Sequence, residues 1–276
     1  MKLSFERGYE SFSDIVGATL GAHRAAGYVG KVSDACNELQ SNINKFKGFE
    51  TGIKQLKGDV FEFRSSGSFN ISAAINETQY CTIVDRNHGY ASADITTNWG
   101  EDYGLKALFN GVASAKAQSQ RFMEYRAASG RADLTFETFV TEKGLDPLVV
   151  LKTDPIYLGQ KRLFPSDQLK EAVIYLKKQI ANRTITNPDE VRRYQETLEN
   201  LTSMIIAPDG TTSYAVSTEH LLDIAEKAKK GEYDAARDGF STEQLIKIEH
   251  VLKQGNKAGL TSATISLVLK TAPEIY

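Results

Sequence analysis

The sequence predicts an α/β fold of the α+β kind: a small mixed sheet with flanking helices, followed by an all-helical C-terminal region. Three observations carry this reading. Strand-like pieces at 79–85, 91–97 and 103–109 follow one another closely, with clear alternation in "YGLKALF". A helical run at 112–128 and a short strand leading straight into another helix come next. Beyond residue 183 the pattern is helical and its caps are explicit.

The elements divide the chain into an N-terminal helical segment (1–55), an α/β core (56–182) and a helical C-terminal region (183–276). In the first, Val32, Cys36, Leu39, Ile43 and Phe46 fall at three- and four-residue steps, the stripe of a helix with one buried face. The second opens with helical turns in "LKGDVFEFRSSGSFNISAAI", where Gly67 suggests a break. Tyr103, Leu105, Ala107 and Phe109 then face one side of the third strand, with Gly104, Lys106 and Leu108 on the other. "VASAKAQSQRFMEYRAA" reads as one helix and "DLTFETFV" as a smaller one, and "QKRLFP" as a strand entering a helix capped by Ser166. In the third segment Asn187, Pro188 and Glu190 form a cap, a first-turn proline and a capping-box partner, and Ser241 with Gln244 repeats the device.

A chain of 276 residues, 41% hydrophobic and 25% charged, can bury a sizeable core. Its formal charge of −2 excludes the strong positive field of a protein that coats nucleic acid, although a local basic cleft is compatible with it. Cys36 and Cys81 are too few for a disulfide framework, so a reducing compartment is expected. Charges in "MKLSFERGYESF" interrupt the apolar stretch a secretory signal needs, which makes the cytoplasm the expected location. The small-residue run at 15–30 carries His23 and Arg24 and is too short to span a bilayer, so no membrane span is expected within the chain.

Several chemistries lack their residues. The histidines show no zinc spacing, and the glycines of "GATLGAHRAAGYVG" do not make a dinucleotide fingerprint. The set that remains is acidic with a lysine. Phosphodiester hydrolysis with a divalent cation needs carboxylates to hold the metal and profits from a lysine that offsets developing charge. Glu62 on a helix, Asp94 on the second strand and Lys106 on the third provide these, with Asp94 and Glu62 as the metal-holding pair for Mg2+ or Mn2+. A turn about Gly100 would set Asp94 directly opposite Lys106. Asp59, Glu101, His88 and Gln118 are candidates for support, and Trp99 at the hairpin tip is placed to stack on a base or to fold back on the sheet. Lys161, Arg162, Lys170, Lys177, Lys178, Arg192 and Arg193 offer phosphate contacts from dispersed positions.

The order helix, three strands, helix, strand, with an acid on the first helix, Asp94 on strand two and Lys106 on strand three, resembles the PD-(D/E)xK nuclease superfamily. The wording "LKGDVFEF…SFNISAA…ASADI…YGLK…SAKAQSQ…DPIYLGQKRLFPSDQL" also resembles a group of bacterial nuclease-toxin-like proteins. The resemblance implies a metal-dependent nuclease acting on DNA or RNA as a toxin or defence effector, with Asp94 and Lys106 in the superfamily pattern. Gly104 stands where the pattern has its second strand carboxylate. The alternative is a non-catalytic interaction protein that keeps a nuclease-like sheet as a scaffold and binds a protein partner through its C-terminal helices, with Asp94 and Lys106 as an ordinary cross-strand ion pair.

Overall fold

The computed structural model describes residues 30–86, 91–183 and 187–235; His88 and the expected cap at Ser241 and Gln244 lie outside them. The described chain begins in a helix over 30–44, α1. Its Val32, Leu39 and Ile43 are buried with Phe46 just beyond its end, as the spacing predicts. α2 spans Ile53–Ile75 without interruption. The break suggested at Gly67 does not occur, because this glycine serves packing. A β-carbon there would stand 2.6 Å from Leu39 Cδ1 and 2.9 Å from Leu39 Cβ, so its absence lets α1 lie close on α2.

Five short strands form one sheet: β1 (Thr82–Val84), β2 (Ile95–Thr97), β3 (Asp102–Leu105), β4 (Lys161–Leu163) and β5 (Leu201–Thr202). Their spatial order is their chain order, with antiparallel pairing between β1, β2 and β3 and parallel pairing between β3, β4 and β5. The mixed sheet agrees with expectation. Its fifth strand, however, comes from the region read as all helical. Two residues between helices are too few to show any period, so this strand is visible only through its pairing with Arg162 and Leu163.

The helix expected over 112–128 is two, α3 (Gly111–Gln118) and α4 (Phe122–Ala128). Between them Ser119 Oγ turns back to donate to the Ala115 carbonyl, the Gln120 carbonyl accepts from Ile156 N–H at 2.9 Å, and Arg121 bridges Pro155. Backbone groups that one long helix would use internally are thus taken by the segment leading to β4. α5 (Phe136–Glu142) is capped by the Thr135 side chain. Ser166 opens α6 (Ser166–Arg183) as a helical residue rather than a cap, its N–H donating to the Val216 carbonyl. Asn187 precedes α7 (Pro188–Glu199) without a side-chain cap bond, and Glu190 reaches arginines instead of closing a capping box. α8 (Thr218–Lys230) is capped by Ser217.

Alternation along the strands separates two faces. Tyr103, Leu105 and Leu163 join a core with Leu39, Leu56, Val60, Phe61, Ile205, Leu221 and Ile224, which draws on all three segments of the chain. On the other side Phe164 packs with Ala115, Ala172, Leu176 and Tyr194 from α3, α6 and α7. Phe109, expected to continue the inward face of β3, lies beyond the end of the strand and is 84% exposed. Trp99 folds back, its ring 5.2 Å from Phe69 and 5.5 Å from Tyr80. Among the described residues no helix is long and apolar enough to cross a membrane.

The contact at Gly67 makes a test. Gly67→Ala should lower unfolding stability by about 1–3 kcal/mol in urea titrations, although alanine is the better helix former, because the added methyl meets Leu39. Pairing it with Leu39→Ala should give a loss smaller than the sum of the two single changes.

Candidate active site

Asp94 precedes β2 and Lys106 follows β3. The hairpin pairs Ile95 with Tyr103 and Thr96 with Asp102, so its turn centres on Trp99 and not on Gly100. Asp94 therefore stands across from Gly104, and Lys106 lies further along the same face. The shift preserves parity, which is why the two side chains still meet. Lys106 Nζ is 3.7 Å from Asp94 Oδ2, and the same oxygen accepts from Leu105 N–H at 2.5 Å.

Glu62 approaches from α2. Arg86, just past β1, donates to Glu62 Oε2 at 3.2 Å and to Asp59 Oδ1 at 2.8 Å. Burial pushes the Glu62 carboxyl up to about 8, the Asp94 charge adds to the rise, and Arg86 opposes it. Burial also works against the charge of Lys106, but Tyr157, Asp94 and Glu62 outweigh it and hold the ammonium above its ordinary value. Lys106 Nζ lies 5.3 Å from the centre of the Tyr157 ring. Glu62, Asp94 and Lys106 thus form one electrostatically coupled group, with Asp59 as its outer acid.

The other expected supports divide. Gln118 is fully buried and donates from Nε2 to the Gly104 carbonyl at 2.9 Å, steadying β3 beside the site. Glu101 is not part of the site. Its carboxylate accepts from Trp99 Nε1 and the Tyr103 hydroxyl at the opposite end of β3, a consequence of the turn position that sequence alone left open. His88 lies outside the described residues. Sequence reasoning passed over Arg86, Tyr157 and Gln160. Arg86 lies in the polar run "DRNH" and Tyr157 and Gln160 shortly before β4 in "DPIYLGQKR", but no local pattern ties them to the acidic group.

Gly104 has a structural explanation. A β-carbon there would stand 2.9 Å from Gln160 Oε1, 3.5 Å from Tyr157 Cδ1 and 3.6 Å from Gln118 Oε1, so a side chain at this position would have to displace the end of Gln160. Both glutamines are oriented by backbone acceptors: Gln118 Nε2 bonds the Gly104 carbonyl and Gln160 Nε2 the Ala91 carbonyl. Ala91 itself holds a left-handed φ of 47°, its carbonyl also bonded by Lys143.

Glu62 and Asp94 are donors of the type a hard divalent cation such as Mg2+ takes, two carboxylates with water and phosphate oxygens completing the shell. Burial is the main cause of the raised Glu62, and the smaller repulsion from Asp94 that adds to it is of the kind a bound cation relieves. A closed protein cage is not built here: among the described residues no three His, Cys, Asp or Glu side chains form a metal-binding group. Compared with protein-family models, curated proteins and solved structures, the chain matches none.

The raised Glu62 predicts a pH dependence of stability. Between its ordinary 4.5 and about 8 the folded chain keeps a proton that the unfolded chain loses. This contribution is fullest at low pH and is lost as pH rises through about 8. Glu62→Gln should therefore melt like the parent near about pH 5 and above it near about pH 9, followed by thermal denaturation without added metal.

Proposed function

We propose that the protein is a divalent-metal-dependent phosphodiesterase acting on nucleic acid. The observation that carries the reading is the convergence of Glu62, Asp94 and Lys106 at one end of the hairpin, from three separate elements, with Glu62 pushed up to about 8. A Mg2+ or Mn2+ ion bound by Asp94 and Glu62 would polarise a phosphoryl oxygen and lower the pKa of a water beside it. Lys106 keeps its proton at neutral pH and so acts as a fixed positive charge toward the oxygens that gain negative charge during phosphoryl transfer, not as a base. The Tyr157 ring and Asp94 hold that ammonium in place. Arg86 ties Glu62 to Asp59 and limits how far the Glu62 carboxylate can turn.

The resemblance to nuclease-toxin-like proteins supports a toxin or defence role for such an activity. The unpaired thiols of Cys36 and Cys81 support work in the cytoplasm. One observation favours the scaffold reading: the space a second strand carboxylate would need is filled by Gln160 and Tyr157.

Cleavage assays decide between them. With Mg2+ or Mn2+ supplied, the parent should cut DNA or RNA and chelator should stop it. Asp94→Asn and Lys106→Met should each lower the rate by about a hundredfold or more. Asp94→Asn keeps an acceptor for Leu105 N–H, so its stability should fall by only about 1 kcal/mol. Glu101→Gln, at the far end of β3, should leave cleavage unchanged. No cleavage by the parent on any substrate, or equal rates in all variants, would move the assignment to a binding scaffold.

Metal affinity should also follow Glu62. Because cation binding requires the ionised carboxylate, the apparent Mg2+ affinity should rise with pH up to about 8 and then level. Glu62→Gln should weaken binding and flatten this dependence in isothermal titration.

A further inference from the structure

A second charged site lies among α3, α6 and α7. A cleft of about 500 Å³ is lined by Lys116, Ser119, Gln120, Glu124, Tyr175, Arg183, Arg193 and Tyr194. Its charges do not cancel. Among the described residues Arg121, Arg183 and Arg193 share only Glu124 and Glu190 as ion-pair partners, and Lys116 adds another cation 5.8 Å from the centre of the Tyr175 ring. The C-terminal end of α3 offsets roughly half a charge, which leaves an excess of more than one positive charge.

The arginine at the centre is built into the fold. Arg193 is 5% exposed, donates to Glu124 and to the Tyr194 hydroxyl, and has its guanidinium 4.6 Å from the centre of the Tyr194 ring. Its Nε is buried and makes no hydrogen bond among the described residues. The exposed Lys116, the half-buried Arg183 and the buried Arg193 line one cleft, and cations grouped in this way attract a tetrahedral anion. A single phosphate would satisfy the excess charge, and the remaining volume leaves room for the group that carries it.

We propose that this cleft is a phosphate-ester site, taking the phosphate of a free nucleotide or of a nucleic-acid strand. It shares no residue with the group around Asp94 and Lys106, so it does not depend on the hydrolase reading.

Titration calorimetry of the full chain in chelator, with inorganic phosphate, AMP, adenosine and a short single-stranded oligonucleotide as probes, tests it. The phosphate-bearing probes should bind and adenosine should not, and affinity should fall with added salt. Lys116→Gln and Arg183→Gln should each weaken binding about fivefold, while Glu101→Gln, which belongs to neither site, binds like the parent. An oligonucleotide that binds more tightly than AMP would assign the site to a strand, and equal affinities would assign it to a free nucleotide. Phosphate-bearing probes that bind no better than adenosine, or affinities unchanged in both Lys116→Gln and Arg183→Gln, would overturn the proposal.

Discussion

The Asp94 carboxylate does two jobs at one position, and the arrangement of the site follows from that. Its backbone N–H donates to the Tyr103 carbonyl and its carbonyl accepts from Asp85 N–H, so the residue ties both neighbouring chains where the ladder ends. Its side chain then takes the Leu105 N–H at 2.5 Å. A charged acceptor on a backbone amide is a strong, short bond. It holds the end of β3 so that Lys106, one residue on, projects beside the same carboxylate. A carboxylate has more lone pairs than this bond uses, so structural duty does not exhaust its capacity as a ligand.

Around that point the sheet separates two environments. One face is apolar, closed by α1, α2 and α8 over Tyr103, Leu105 and Leu163. The other holds a polar layer in which Arg162, fully buried, pairs with Glu196 at 2.8 Å and lies against Tyr157. Burial lowers Arg162 to about 10 even with Glu196 beside it. Glu62, raised, and Lys106, held charged, are coupled to one another and to Asp94 at the sheet's edge. Poor solvation there amplifies each pairwise interaction, and a group of few charges becomes a coupled one.

The helical faces, the three successive strands and the strand leading into α6 were legible in the sequence, because buried side chains repeat at the period of their backbone. So was the composition of the central group: Glu62, Asp94 and Lys106 are the residue types that metal-assisted phosphoryl chemistry requires. Less legible were features that depend on partners distant in the chain. Gly67 reads as a breaker until Leu39 is seen across from it. The single helix expected at 112–128 divides because Pro155 and Ile156 claim its backbone groups.

The sequence by itself determined the mixed α/β class and the pattern of buried stripes, since these follow from local periods of about 3.6 and 2 residues. Only the tertiary structure decided the hairpin register, the removal of Glu101 to the other end of β3, the recruitment of β5 and the filling of the space over Gly104 by Gln160, Tyr157 and Gln118. It also brought Arg86 to Glu62 and gathered the Arg193 cluster. The reason is the same in each case. Register, burial and charge coupling depend on contacts between residues far apart along the chain, and no local period encodes them.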